Sequence, residues 1–255
     1  MRFPSLLEPI AKTLRGKYGS IRRRFWHMPI GRLKLNFFYF KGGTWIEFYA
    51  NMLDGYAAIN IEKLPAEDYL QEGKEFRDWL IDHGLKPEHR LLDYGCGVLR
   101  AGRYLIPYLN RGHYVGIDIS KNRIRKGHLV LSSAGISRDD YEVHLTKDCL
   151  LKELQNQRFD VVWANSVLTH MPEQDIRLFL SALKSHFKQG GTFFFTFSPS
   201  ERLSLTIPKQ EKIKNFYYPT NYLKNLFKEC GYNFELLHDG HAEKYKSPTV
   251  RASVM

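Results

Sequence analysis

Asp93 closes a short apolar run and is followed by Gly95 and Gly97, so a carboxylate and two residues without side-chain bulk arrive together at the lip of an expected strand. That combination suits a ligand: the acid accepts hydrogen bonds, and the glycines let backbone approach closely. Beyond the turn, Ala101, Tyr104, Leu105, Tyr108 and Leu109 recur at the spacing of one helical face. A dinucleotide fingerprint requires a third small residue where this chain has Arg100, and a phosphate loop requires Lys followed by Ser or Thr, which is absent after these glycines. The ligand left is a small nucleoside without a phosphate chain. A second apolar run, His113 to Ile117, delivers another carboxylate, Asp118, suited to accept both hydroxyls of a ribose.

At this point the chain resembles the class I S-adenosylmethionine-dependent methyltransferases. The resemblance rests on Leu92-Asp93-Tyr94-Gly95-Cys96-Gly97, Gly116-Ile117-Asp118, the run from Phe159 to His170, and Gly190-Gly191-Thr192, in the family's order and spacing, and it covers residues 66 to 255. Where the family's loop commonly carries a third glycine, this chain has Leu99. The resemblance implies S-adenosyl-L-methionine as cofactor. Asp93 would anchor the methionine amino group, Gly95, Cys96 and Gly97 would line the methionine and ribose, and Asp118 with Ile119 would hold the ribose end. Asp148 stands where the family contacts the adenine amine, or else it caps a helix over Leu150–Leu154. Asn165 leaves the fourth strand beside the expected methyl group, together with Ser166.

His170 is the candidate catalytic base, because an ordinary imidazole titrates near neutrality and suits removal of a hydroxyl proton. A histidine there also suits a backbone hydrogen bond or a grip on the methionine carboxylate. Missing motifs narrow the acceptor. Ala164-Asn165-Ser166-Val167 is not the N-P-P-[YF] run with which amino-methylating enzymes grip a flipped base. No cysteine is placed for 5-methylcytosine chemistry, and no acidic set suggests a catechol-type magnesium site; no metal is expected. The expected function is O-methylation of a small molecule or a saccharide or glycolipid. The alternatives are an RNA methyltransferase guided by a basic arm and a non-catalytic cofactor-binding adaptor.

These residues require a scaffold of alternating strands and helices. Helical spacing is expected from Pro65-Ala66-Glu67 to a glycine stop at Gly84, from a Ser120 cap to Ala134, after Pro172, and from a Thr220 cap to Gly231. Strands are expected where Leu91-Leu92 deliver Asp93 to the turn, at His113–Ser120, Tyr141–Leu145, Phe159–Ala164 and, after a Gly190-Gly191 turn, Thr192–Phe197. Such alternation predicts a doubly wound α/β fold with a mostly parallel sheet, ligands binding at the carboxyl ends of its strands. The resemblance adds a seven-stranded, Rossmann-like sheet closed by an antiparallel hairpin from Phe234–His238 and Val250–Val254. Ser198 to Pro219, with Lys209, Lys212, Lys214, Phe216, Tyr217 and Tyr218, reads as a substrate lid.

The net charge of +11 is unevenly spread. Residues 1–46 hold ten Lys or Arg against Glu8 alone, interleaved with Phe25, Trp26, Phe37, Phe38, Tyr39, Phe40 and Trp45. We therefore expect a basic, aromatic extension over residues 1–64 and a methyltransferase domain over 65–255. That extension suits an anionic membrane surface before nucleic acid, or packs blandly on the domain. Three cysteines without C-x-x-C spacing suggest neither a disulfide frame nor a metal site. With no apolar run long enough to span a membrane, the expected location is cytoplasmic, with peripheral membrane contact.

Overall fold

The computed structural model describes residues 38, 40–58, 63–200, 209–212, 215–237 and 247–255. The chain divides into two compact units, Met1–Thr44 and Trp45–Met255. Most of the expected basic arm lies outside the described residues, as do Lys214, His238 and part of the expected lid. Residues 45–57, grouped with the extension in the sequence reading, belong to the second unit.

In that unit, α1 (Trp45–Ala57) and α2 (Glu67–Asp82) precede β1 (Leu91–Tyr94), α3 (Gly102–Tyr108), β2 (Tyr114–Asp118), α4 (Lys121–Ser133) and β3 (Tyr141–Leu145). There follow β4 (Phe159–Ala164), α5 (Glu173–Leu183), β5 (Phe187–Thr196), a small hairpin of β6 (Lys209–Lys212) and β7 (Asn215–Tyr217), α6 (Thr220–Glu229), β8 (Tyr232–Leu237) and β9 (Thr249–Val254). The main sheet has seven strands in the order β3-β2-β1-β4-β5-β9-β8. Its first five members are parallel, and β9 runs antiparallel between β5 and β8. This is the expected Rossmann-like fold.

Period-two alternation distributes the strand side chains between two cores. Leu92, Tyr94, Val115, Ile117, Val162, Phe193 and Phe195 pack with α5 and α6. Leu91, Tyr114, Val161, Trp163 and Phe194 pack with α2, α3 and the end of α4. Covering both faces leaves the carboxyl edge of the parallel strands as the open rim. At that rim the order reverses between β1 and β4, whose chains lead to α3 and α5 on opposite faces, a cleft where ligands bind in such sheets.

Two local expectations are corrected. Gly190-Gly191 lies within β5, which starts at Phe187; its pairing skips from Phe159–Phe187 to Val161–Thr192, so the glycines form an irregularity inside the strand. Thr220 is the first residue of α6, while Pro219 takes the cap position without a side-chain hydrogen bond. Ser120 does cap α4, its hydroxyl accepting the Arg123 N–H at 3.1 Å.

Candidate active site

The loop after β1 is drawn down onto β2: the N–H groups of Gly95 and Cys96 both donate to the Ile117 carbonyl, at 2.7 and 3.0 Å. Gly95 and Gly97 have φ of +82° and +58°, the left-handed region in which a side chain is strained. Space is short as well. A Cβ on Gly95 would stand 2.4 Å from Val167 Cγ2, and one on Gly97 2.3 Å from Arg123 Nη2.

This loop, the tip of β2 and the loop after β4 enclose a cleft of about 250 Å³. Asp93, Gly95, Cys96, Asp118, Ile119, Asn165 and His170 all line it. Gly97 is not in the lining; its N–H instead donates to Asp118 Oδ2 at 2.8 Å. Asp148 is also outside the lining. Its carboxylate accepts the Leu150 N–H at 2.8 Å and faces Lys152 at 3.6 Å, so here it takes its capping alternative. The helix expected over Leu150–Leu154 is a short 3₁₀ turn at Lys152–Leu154.

Asp118 is almost fully buried, with the Ser120 N–H donating to Oδ1 at 2.8 Å and Arg123 4.0 Å from Oδ2. Each carboxylate oxygen thus receives one backbone N–H and keeps a further acceptor site, the capacity a vicinal diol needs. Asp93 is buried too, and burial pushes its carboxyl up to about 6, against a hydrogen bond from the Tyr114 hydroxyl at 2.6 Å that pulls it down. A ligand cation beside it would favour the ionised form. The chemistry of this set, a buried acid, a second carboxylate with free acceptor sites and a glycine turn, is compatible with the methionine and ribose ends of S-adenosylmethionine. Burial raises the Cys96 thiol well above its ordinary range and Cys149 to about 12, so neither is an activated nucleophile.

After β4, Ser166 has φ of +56°, a strained conformation held because its N–H donates to Thr196 Oγ1 at 2.7 Å. Thr196 in turn donates to Asn165 Oδ1 at 3.1 Å. His170 ends a 3₁₀ turn over Leu168–His170, and the ring of Tyr49 packs on its imidazole with centroids 5.0 Å apart. The indole of Trp45 donates to the His170 carbonyl at 2.8 Å.

Sequence reasoning missed Trp45, Ile46, Tyr49 and Leu53, all of which line the cleft. Their positions i, i+1, i+4 and i+8 are a helical face, a signal that was present but lay within a stretch read as a basic, aromatic arm. Arg100 lines the cleft while paired with Glu72 and lying over Tyr69, 4.3 Å from the ring centroid; Arg103 pairs with Glu67 at 2.9 Å on the outside. Among the described residues no cluster of three metal-ligating side chains occurs.

Residues 92–193 match a family model described as a methyltransferase domain. Among curated proteins, the chain is 26% identical over 158 residues to an uncharacterised protein of Methanocaldococcus jannaschii, covering 57% of this chain and 40% of that one. It is 30% identical over 135 residues to phosphoethanolamine N-methyltransferase 1 of Zea mays, covering 51% of this chain and 24% of the relative. The chain thus spans less than half the length of these relatives. Among solved structures, magnesium protoporphyrin IX methyltransferase from Synechocystis with bound SAH superposes with a TM-score of 0.60 at 16% identity, over 82% of this chain and 99% of that one. The glycopeptide N-methyltransferase MtfA gives 0.56 at 12% identity, over 72% and 90%. At such identities the superpositions speak for the fold, and the domain match places the cofactor loop and the strand-four motif inside it. Residues 92–193 thus match a methyltransferase domain, on a sheet with the Rossmann-like fold of the solved methyltransferases.

Proposed function

We propose that this protein transfers a methyl group from S-adenosylmethionine to an oxygen of a small molecule or saccharide, with His170 as the base. The observation that carries the reading is one cleft lined by both carboxylates of the expected cofactor site and by an imidazole. When bound, the cofactor supplies an electrophilic methyl group on a sulfonium. Asp93 and the Gly95–Cys96 backbone would hold its amino acid end, and Asp118 with Ile119 its ribose. Asp148 remains a proposed adenine contact only if its carboxylate leaves the Leu150 N–H.

Methyl displacement demands in-line positioning more than an elaborate catalytic set. Asn165, Ser166 and the tilted Tyr49–His170 ring pair would form the wall that orients the acceptor, and His170 would take the hydroxyl proton as the new bond forms. Trp45, Tyr49, Tyr69 and Phe76 make that part of the cleft aromatic, which suits a ring-bearing or saccharide acceptor. A second reading, transfer to an amine nitrogen, is favoured by the similarity to the phosphoethanolamine N-methyltransferase of Zea mays. The basic residues of the first unit suit an anionic membrane surface, so a glycolipid acceptor joins the proposal. Among the described residues no helix is long and apolar enough to cross a membrane.

The test is methyl-labelled cofactor offered with metabolite, glycolipid and RNA fractions. Label entering an oxygen of a small molecule or glycolipid supports the reading; label in RNA, or none at all with cofactor still bound, replaces it with the RNA or adaptor alternative. His170→Ala should then lower turnover by about 10² to 10⁴-fold, roughly 3 to 5 kcal/mol of barrier, with cofactor affinity nearly intact. His170→Gln should not restore it, because an amide keeps a hydrogen bond but takes no proton. Near-normal turnover in either variant leaves catalysis to positioning alone.

A further inference from the structure

Helix α1 is fastened at both ends to the two loops that make the site. Near its C-terminal end, Asp54 Oδ1 accepts the Ser120 hydroxyl at 2.6 Å and the Asn122 N–H at 2.9 Å, while the Asp54 carbonyl accepts the Asn122 side-chain amide at 3.2 Å. Ser120 is the residue whose own N–H donates to Asp118 Oδ1. Asp54 therefore stands one residue removed from the proposed ribose-binding carboxylate. At the N-terminal end, Trp45 holds the His170 carbonyl and meets Phe216 edge-on at 5.2 Å, and Tyr49 lies on the imidazole. Between these attachments, Tyr49 and Leu53 form part of the cleft wall.

The local sequence of α4 explains why a distant acid is used. The first turn of α4 carries Lys121 and Arg123 and no acidic residue, although a helix N-terminus favours negative charge. Asp54 brings that charge from 66 residues away and adds charge-assisted bonds to a backbone N–H and a hydroxyl. Docking of α1 and the setting of the Asp118–Ser120 turn are thereby one event.

We infer that Asp54 is a positioning residue for Asp118, and that through it α1 is a strap joining the cofactor loop to the His170 loop. The inference rests on the cofactor reading above. Ligand in the cleft presses against the strap, and exchange of ligand requires the Asp54 bonds to open. Cofactor occupancy and the placement of His170 are coupled by the same helix.

The experiment measures S-adenosylhomocysteine binding by calorimetry and its dissociation by stopped-flow, in full-length wild type, Asp54→Ala, Asp54→Asn and Asn122→Ala. Asp54→Ala should bind about tenfold more weakly, chiefly through faster release. Asp54→Asn, which keeps an acceptor oxygen but not the charge, should recover part of the loss. Asn122→Ala removes only the outer bond, should weaken binding about threefold, and serves if Asp54→Ala folds poorly. Hydrogen exchange over residues 45–57 should slow when ligand is added to wild type and respond far less in Asp54→Ala. Unchanged affinity in Asp54→Ala and Asn122→Ala, with or without a lower melting temperature, overturns the strap while leaving the cofactor reading intact. Failure of wild type to bind S-adenosylhomocysteine overturns both.

Discussion

Leu99 occupies the place where the resembled family carries a third glycine, and it takes the backbone of one: φ is +57° and the side chain is fully buried. A left-handed conformation costs a residue with a Cβ about 1 to 3 kcal/mol, and complete burial of a leucine contributes about 1.5 to 3 kcal/mol, so the two roughly offset. The loop keeps its path and gains a core side chain. Asp93 shows the opposite balance. Burial raises its carboxyl from 3.8 to about 6, so the folded protein holds this proton more tightly than the unfolded chain. Stability present below pH 4 is lost as pH rises toward 6, and Asp175, raised to about 6 by burial, adds in the same direction. Asp93→Asn should flatten this slope and raise the melting temperature of the ligand-free protein at pH 7, while weakening S-adenosylhomocysteine binding. Melting curves from pH 4 to 8 on both proteins check the sign; a wild-type melting temperature that rises through that acid window would contradict the assignment.

Among the elements, β4 and β5 show how strand ends set the geometry of the cleft wall at Asn165 and Ser166. Thr196, at the tip of β5 and almost fully buried, accepts from Ser166 and donates to Asn165, so a single hydroxyl ties the two tips together. Valine has nearly the same shape but leaves the Ser166 N–H without that partner. Thr196→Val should cost about 1 to 3 kcal/mol in urea unfolding and release the strained Ser166 backbone, with weaker S-adenosylhomocysteine binding as the second readout. Helix α1 makes a complementary point. Its aromatic positions look like membrane or polymer contacts when read beside the basic residues upstream, yet Trp45 and Tyr49 are buried in the folded unit. Helical spacing was the better guide there than composition. The hairpin of β6 and β7 falls where a lid was expected; Tyr218, just after it, is buried and donates to the Met171 carbonyl at 2.7 Å, which fixes that end of the segment to the site.

For the whole molecule, the charge division is the property with a testable consequence. Residues 1–46 carry a net +9, and the remaining 209 residues a net +2. If the first unit recruits an anionic surface, full-length protein should sediment with vesicles containing acidic lipid and a protein starting at Trp45 should not, the difference shrinking between low and high salt as charges are screened. Retention by RNA and not by vesicles would move the acceptor toward nucleic acid, with a steep salt slope as its mark. Equal retention of both proteins would leave the arm without that role.

Strand, turn and helix around the site were legible because local rules govern them. Short continuous apolar runs mark β1, β2 and β4, buried almost throughout, glycine marks the turn after β1, and a serine marks the start of α4. The two acids at strand tips, Asp93 and Asp118, follow from the same rules, since a carboxylate ending an apolar run needs hydrogen-bond donors, here supplied by Tyr114 and by the Gly97 and Ser120 N–H groups. Tertiary structure decided what local rules do not reach. That Gly190-Gly191 continues β5 and that α1 folds over the site depend on partners distant in the chain, whereas Asp148 takes a local partner, the Leu150 N–H, one of the two roles its position allowed. Asp54 meets Ser120 across 66 residues and Trp45 meets His170 across 125. A residue's type and spacing state what it is able to bind; which partner it receives is set by the packing of the whole sheet.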